Sequence, residues 1–399
     1  MPATATPVPS APAAAALREK DLKQWRLIER FQDALAAELK LRGGPADTWA
    51  HPNRELQLPQ YLSLFLFGLF NPVVETMRGL CAATALQRVQ REVSGAKVSL
   101  GSFSEAQAVV DPALLKAVFA RLASEAPAPP AARASLGGKA KVVDSSVWEV
   151  LPRMAWAFWR NQDGLQNAVR LHVEFDLASG RVQQAELTKA KRCERQQWQK
   201  FAQPGVCHIG DRNFGQDYAL LAKLQAKGSH FVVRLRLDTQ WVEENSELLT
   251  AADRAAGVKW AGTVRLGKHG DGPRVRVIQL LGEDESILIA TTLSAVDGPP
   301  ELIAECYRHR WQVELFFRWL KCILGCRHWL AESERGVALQ VYLALIAAQL
   351  MMLYQGERPN KRQMEAIQFY LMGWATLEEL MARLKPAKSK KKSSAAKKS

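Results

Sequence analysis

Apolar residues recur at helical spacing through the first third of the chain, and then the period changes. Between Leu17 and Leu41, Trp25, Ile28, Phe31, Leu35 and Leu39 fall three or four apart, as one face of an α-helix does. A second helical block covers Tyr61–Phe70, breaks at Asn71-Pro72 and resumes to about Arg91. A third begins near Ser104 and restarts after Asp111-Pro112 with Leu115, Val118, Phe119 and Leu122. Residues 17–124 therefore read as an all-helical N-terminal domain. The Ala/Pro/Thr-rich residues 1–16 read as disordered, and the Pro/Ala/Gly-rich residues 125–140 as a linker.

Beyond the linker, strands are expected at Lys141–Val147, Met154–Trp159, Ala168–Phe175 and Val182–Leu187, with an Ala178-Ser179-Gly180 turn before the last. Glu194–Phe201 reads as a short helix. Val206–Ile209 is a brief apolar strand running into Gly210-Asp211, Tyr218–Lys227 a helix and His230–Leu237 a strand. Residues 240–285 hold Trp241, Trp260, a glycine-rich turn from Gly267 to Gly272 and an alternating Arg274–Val277 run, the marks of a β-rich insertion. A strand at Ile287–Thr292 and a long helix from Glu301 to about Leu324 follow, with further helices near 336–355 and 360–384. Consecutive strands, with helices only between the later ones, predict an α/β class with a mixed sheet across residues 141–335, followed by C-terminal helices over 336–384. No glycine-rich phosphate loop follows any strand, which leaves nucleotide-cofactor chemistry unsupported.

Charge narrows the choice of partner. Against 40 acidic residues stand 54 Lys and Arg, a net charge of +14, which favours a polyanion. Seven lysines lie in the last fifteen residues, so 385–399 reads as a disordered, Lys-rich tail. Six cysteines are too few and too scattered for a disulfide framework in 399 residues. Cys322, Cys326 and His328 have no second ligand pair, so reduced thiols of a cytoplasmic protein are the better reading. The start carries no secretory signal. Tyr61–Phe70 is too short to cross a bilayer, and Ala338–Tyr354 contains Gln340 and Gln349. Both read as buried helices, with no membrane partner.

Candidate chemistry rests on carboxylates. Asp144 follows Val142-Val143 near the end of a buried strand, and Asp211 ends another. In open α/β sheets, ligands collect at the carboxyl ends of strands, which places the two to converge. On the long helix, Tyr307, Arg310, Glu314 and Lys321 stand at offsets of 0, 3, 7 and 14. At about 100° per residue these fall within roughly 60° of one another, and Arg318 joins their edge. A solvated face with Glu314 paired to Arg318 has the same periodicity.

The series Tyr307-x2-Arg310-x3-Glu314-x6-Lys321 is similar to the YREK signature of the insertion-sequence-four family of DDE transposases. An Asp-Ser-Ser motif at 144–146, an Asp-Arg-Asn-Phe motif at 211–214 and a β-rich insertion before the Glu helix resemble that family in order and spacing. The resemblance covers roughly residues 140–350 and implies an RNase H-like catalytic domain with a DNA-binding helical domain before it. It implies Asp144, Asp211 and Glu314 as catalytic, metal-holding carboxylates for two Mg²⁺ or Mn²⁺ ions. Hard oxygen ligands suit these ions, and clustered carboxylates need them. It also implies that Tyr307, Arg310 and Lys321 grip phosphates of double-stranded DNA, with Arg212 and Arg318 as further candidates. Two ends brought together imply a homodimer on DNA. Localisation would be cytoplasmic, at the bacterial nucleoid.

The basic run Lys189, Lys191, Arg192, Arg195 and Lys200 could add phosphate contacts or be an ordinary solvated face. Where family members carry a base-stacking aromatic, this chain has Glu285-Ser286, leaving Trp241 and Trp260 as stacking or core residues. Two other functions share these features: a nuclease or junction resolvase on the same fold, and a catalytically inactive DNA-binding protein derived from a transposase.

Overall fold

A computed structural model describes residues 26–384 apart from 45–48, 50–53, 72, 75, 126–135, 137–138, 162–163, 192, 283–284, 325–328, 356–357 and 372–373. The segments 1–16 and 385–399, most of the expected linker, and Cys326 and His328 lie outside the described residues.

Ten strands form one mixed sheet. They are β1 (Ala140–Glu149), β2 (Phe158–Asn161), β3 (Gly164–Asp176), β4 (Arg181–Lys189), β5 (Cys207–Gly210), β6 (His230–Leu235), β7 (Trp241–Ser246), β8 (Val258–Leu266), β9 (Arg274–Leu280) and β10 (Ile287–Thr291). Its heart runs β4-β3-β1-β5-β6. The first three strands are antiparallel neighbours, whereas β1, β5 and β6 are parallel. This is the order and direction of an RNase H-like sheet, as expected. All four residues of β5 are buried, which suits a parallel strand covered on both faces. Alternation along β1 sends Val142 into one core and Val143 into the other.

Among the described residues, the N-terminal helices α1 (Arg26–Leu41), α2 (Leu58–Phe70), α3 (Met77–Ala83), α4 (Leu100–Val109) and α5 (Pro112–Ser124), with a short helical stretch over Gln87–Ser94, share a core with one face of the sheet. Asp111 starts α5 by accepting the Ala113 N–H at 2.9 Å, with Pro112 in the first turn. On the opposite face lie α6 (Glu194–Phe201), α7 (Arg212–Gly215) and α8 (Tyr218–Ala226). A short α9 (Ala251–Ala255) joins β7 to β8, and α10 (Pro300–His309), α11 (Gln312–Leu324), α12 (Glu334–Gln355), α13 (Lys361–Leu371) and α14 (Leu377–Leu384) follow the last strand among the described residues. One stretch of α12, Glu334–Leu353, is long and apolar enough to cross a membrane, but 89% of its most apolar window is buried inside the protein. Its two glutamines serve that interior: Gln340 accepts the Leu330 N–H at 3.0 Å, and Gln349 donates to the Val182 carbonyl at 2.6 Å.

Several expectations need correction. Met154–Trp159 is not one strand: residues 155–157 form a 3₁₀ turn that buries Met154 and Ala157, three apart, and β2 starts only at Phe158. Residues 360–384 hold two helices, α13 and α14, rather than one. The segment 240–285 is β-rich as expected, and its strands extend the main sheet, since β10 pairs with β6 and β9, β8 and β7 add on in turn. The long Glu helix is interrupted at Arg310-Trp311. There Arg310 N–H bonds the Tyr307 carbonyl and Val313 N–H the Arg310 carbonyl, at 3.1 and 3.2 Å. These are three-residue spans, tighter than an α-helical turn. Between Cys306 and Val313 no residue is fully buried, and Tyr307 is the one side chain of that stretch packed, partly buried, against the core.

Candidate active site

Asp144 lies in the middle of β1, not near its end, but it sits just past the last parallel pair with β5, Val142 with Ile209. Directly after Gly210, the last residue of β5, comes Asp211. Both aspartates therefore stand at the carboxyl rim of two adjacent parallel strands. A Cβ at Gly210 would come within 2.4 Å of the Trp198 ring, so only glycine lets β5 run this close under α6. Asp211 caps α7, its Oδ1 accepting the Asn213 N–H at 2.9 Å.

Glu314 is in the first turn of α11. Arg310, in the turn before it, donates to Glu314 Oε1 at 2.7 Å and approaches Asp144 Oδ2 to 3.7 Å. The (i, i+4) partner of Glu314 is thus Arg310, behind it in sequence, and not Arg318. The Arg310 guanidinium lies 6.0 Å from the Tyr307 ring centre. Lys321 donates to the Val147 carbonyl of β1 at 3.2 Å, with its ammonium 5.9 Å from the Trp148 ring centre. These contacts pin the Glu helix along β1, beside Asp144. Arg212 and Arg318 are exposed.

Burial dominates the electrostatics. It pushes Asp144 up to about 7. Opposing it are the Ser145 N–H, which donates to its Oδ1 at 2.7 Å, and Arg310, while the charges of Asp211 and Glu194 add to the rise. Asp211 is also raised, first by burial and then by Glu194, against the Asn213 N–H and Arg310. Burial raises the Tyr307 phenol.

A consequence for stability can be measured. A carboxyl whose value rises from 3.8 to about 7 on folding keeps its contribution below the lower value and loses it as pH climbs through the upper one. Asp144→Asn should therefore stabilise the metal-free protein at pH 8 by about 2–4 kcal/mol, and by almost nothing near pH 4. Urea unfolding in EDTA at both pH values is the check. An equal difference at the two would refute this origin.

The donor set here, three carboxylates without thiol or imidazole, fits a hard divalent cation. Among the described residues no three acidic, histidine or cysteine side chains converge closely enough to hold one ion directly. Arg310 supplies the positive charge between Asp144 and Glu314. Four residues around the site were given no role by sequence reasoning: Ser145, Arg170, Glu194 and Asn213. Ser145 and Asn213 fall inside the two aspartate motifs. Glu194 resembled a routine helix-start acid, and Arg170 had no signal.

The flanking candidates divide. Lys189 pairs with Glu334 at 3.4 Å and Arg195 with Asp217 at 3.6 Å, whereas Lys191 and Lys200 are exposed. Trp241 and Trp260 stack on each other, centres 6.4 Å apart, and pack against the second core. Glu285 accepts from Arg234 at 3.2 Å.

The family described as Transposase DDE domain matches residues 136–350, more than half of the chain. Two proteins named as transposases are similar. The protein y4zB of Sinorhizobium fredii (strain NBRC 101917 / NGR234) is 27% identical over 218 residues, 53% of this chain and 60% of that one. The protein for insertion sequence element IS4SA of Synechocystis sp. is 38% identical over 53 residues, 13% of this chain and 16% of that one. The chain thus aligns with less than two thirds of either relative. A solved piggyBac transposase synaptic complex with hairpin DNA is a loose structural likeness, with a TM-score of 0.44, 11% identity, and coverage of 92% of this chain and 80% of that one.

Proposed function

This chain belongs to the Transposase DDE domain family, and from that premise we propose that it is a DNA transposase that binds insertion-sequence ends, cleaves them and joins them to target DNA. The observation that supports the reading is that Asp144 and Asp211 stand just past the parallel pairing of the adjacent strands β1 and β5, with Glu314 linked to Asp144 through Arg310. Asp144, Asp211 and Glu314 would hold two Mg²⁺ or Mn²⁺ ions, which when bound activate the attacking hydroxyl and stabilise the leaving oxygen of an in-line displacement. The chain's own side chains bind and orient the DNA. Arg310 presents a planar fork to a phosphate, which competes with Asp144 and Glu314 for the same guanidinium. Lys321, held over Trp148, adds a point charge about two turns along the same helix face as Glu314, and Tyr307 backs Arg310. Arg212 and Arg318, exposed on either side, extend the contact along the duplex. Two ends brought together call for two copies of the chain, acting in the bacterial cytoplasm at the nucleoid.

A labelled duplex taken from the DNA bordering the gene tests this reading. A transposase cuts the duplex at the element border and joins the cut strand to a second DNA. A nuclease or resolvase on the same fold would cut without joining, and an inactive DNA-binding descendant would do neither.

Arg310→Ala and Lys321→Ala are each expected to weaken end binding by about tenfold at low salt and to flatten the dependence of log Kd on log salt by about one contact. Binding titrations from 50 to 200 mM salt are the measurement. Slopes equal to wild type would remove both residues from the phosphate contacts.

A further inference from the structure

Glu194 opens α6 close to both aspartates, and its two carboxylate oxygens point to different sides of the site. Its Oε1 accepts from Arg170 Nη1 at 2.5 Å and bonds the Ser145 hydroxyl. Its Oε2 accepts from the Asn213 side-chain amide at 2.9 Å. Those two partners have matching duties. The Ser145 N–H holds Asp144 Oδ1 at 2.7 Å, and the Asn213 N–H holds Asp211 Oδ1 at 2.9 Å. The neighbouring Arg195 grips Asn213 as well, donating to its carbonyl at 3.1 Å and to its side-chain oxygen at 3.3 Å. Arg170 in turn donates to the Ser145 hydroxyl at 3.2 Å and to the Ala190 carbonyl at 3.2 Å, which anchors the assembly to β3.

We propose that Glu194 is a positioning residue for the reaction: a carboxylate strap that sets the spacing of Asp144 and Asp211 by holding the residue whose N–H orients each. The inference rests on the proposed transposase chemistry. A carboxylate suits the task because a guanidinium, a hydroxyl and an amide converge on it, and only a two-oxygen acceptor satisfies both sides. Glutamine keeps the size but turns an NH2 toward either the Arg170 guanidinium or the Asn213 amide, so one side must let go. The cost of a misplaced ligand appears in ion affinity and rate, since the partners that orient metal ligands typically contribute 10–100-fold to either.

The test compares wild type, Asp144→Asn, Glu194→Gln and Glu194→Ala on end DNA. Glu194→Ala should slow single-turnover cleavage by about 100-fold and Glu194→Gln by about tenfold, with the half-saturating Mg²⁺ concentration raised in both. End-DNA affinity in Ca²⁺ should stay within about twofold of wild type, as expected when the orientation of metal ligands, not DNA contact, is lost. A second readout needs no turnover: Mn²⁺ should raise the unfolding midpoint of wild type more than that of either Glu194 variant. If Glu194→Ala does not fold, Glu194→Gln carries the same comparison. Wild-type cleavage and Mg²⁺ dependence in the Glu194 variants, with Asp144→Asn inactive, would overturn the strap and leave the transposase reading standing. Equal losses of DNA binding and stability would also overturn it, by making Glu194 merely structural. A cleaving Asp144→Asn would instead sink the underlying chemistry.

Discussion

Glu314→Gln should lower single-turnover cleavage of end DNA by at least about 1000-fold, roughly 4 kcal/mol in the barrier, while end binding in Ca²⁺ stays near wild type. Glutamine matches glutamate in size and helix propensity, so α11 should keep its place along β1. What disappears is one negative charge, which serves two partners: the ion that the site is proposed to hold, and Arg310, 2.7 Å away. Losing the first removes a ligand. Losing the second frees the guanidinium for phosphate, so binding should not fall and can rise. That split between binding and cleavage separates a catalytic carboxylate from a solvated one. Normal cleavage by Glu314→Gln in Mg²⁺ would return Glu314 to an ordinary helix face.

A second large effect lies under the sheet, on the α6 side. Glu174 is fully buried on β3 and accepts from Lys141 of β1 at 2.8 Å, from Gln184 of β4 at 3.3 Å, and from His208 of β5 at 2.9 Å. The other nitrogen of His208 lies 3.2 Å from the hydroxyl of Ser229, just before β6. One carboxylate thus ties together β1, which carries Asp144, and β5, which runs into Asp211. Burial pushes Glu174 up, but the bonds from His208 and Lys141 outweigh it and hold the group below the usual carboxylate range. Glu174→Leu would leave Lys141 and His208 without their acceptor and should cost about 3–5 kcal/mol of stability. Since a lowered carboxyl stabilises above its unfolded value and loses that contribution as pH falls through its folded value, the penalty should shrink in acid. Urea unfolding at pH 7 and pH 3 reads both. A loss under about 1 kcal/mol at pH 7 would mean that the network is replaceable by packing alone.

Much of this was legible in the chain. Period-two runs marked β1, β3 and β4, and Glu194–Phe201 emerged with the expected bounds because its apolar and charged positions follow one helical face. The two aspartates were readable because each follows a buried apolar run, and the spacing of Tyr307, Arg310, Glu314 and Lys321 survives the break between α10 and α11. That break was not readable, since a polar stretch such as Arg308–Gln312 fits helix and turn equally well. Nor was the tie of Glu194 to Ser145, Arg170 and Asn213, which comes from four separate segments. Such contacts depend on sheet order, which no local pattern encodes. The edge position of β7–β9 escaped for the same reason: alternation marks a strand but not the sheet it joins.

The most direct test of Asp144, Asp211 and Glu314 as a metal-dependent centre is to incubate the purified protein with a plasmid carrying the element's ends and to examine the products under denaturing conditions. Water or a 3′-hydroxyl attacking directly should leave free 3′-hydroxyl ends at the element border and joined DNA products, all absent in EDTA and restored by Mg²⁺ or Mn²⁺. Cleavage that persists in EDTA, or protein left covalently attached to the cut strand after denaturation, would contradict it, because either result would assign the attack to a protein side chain.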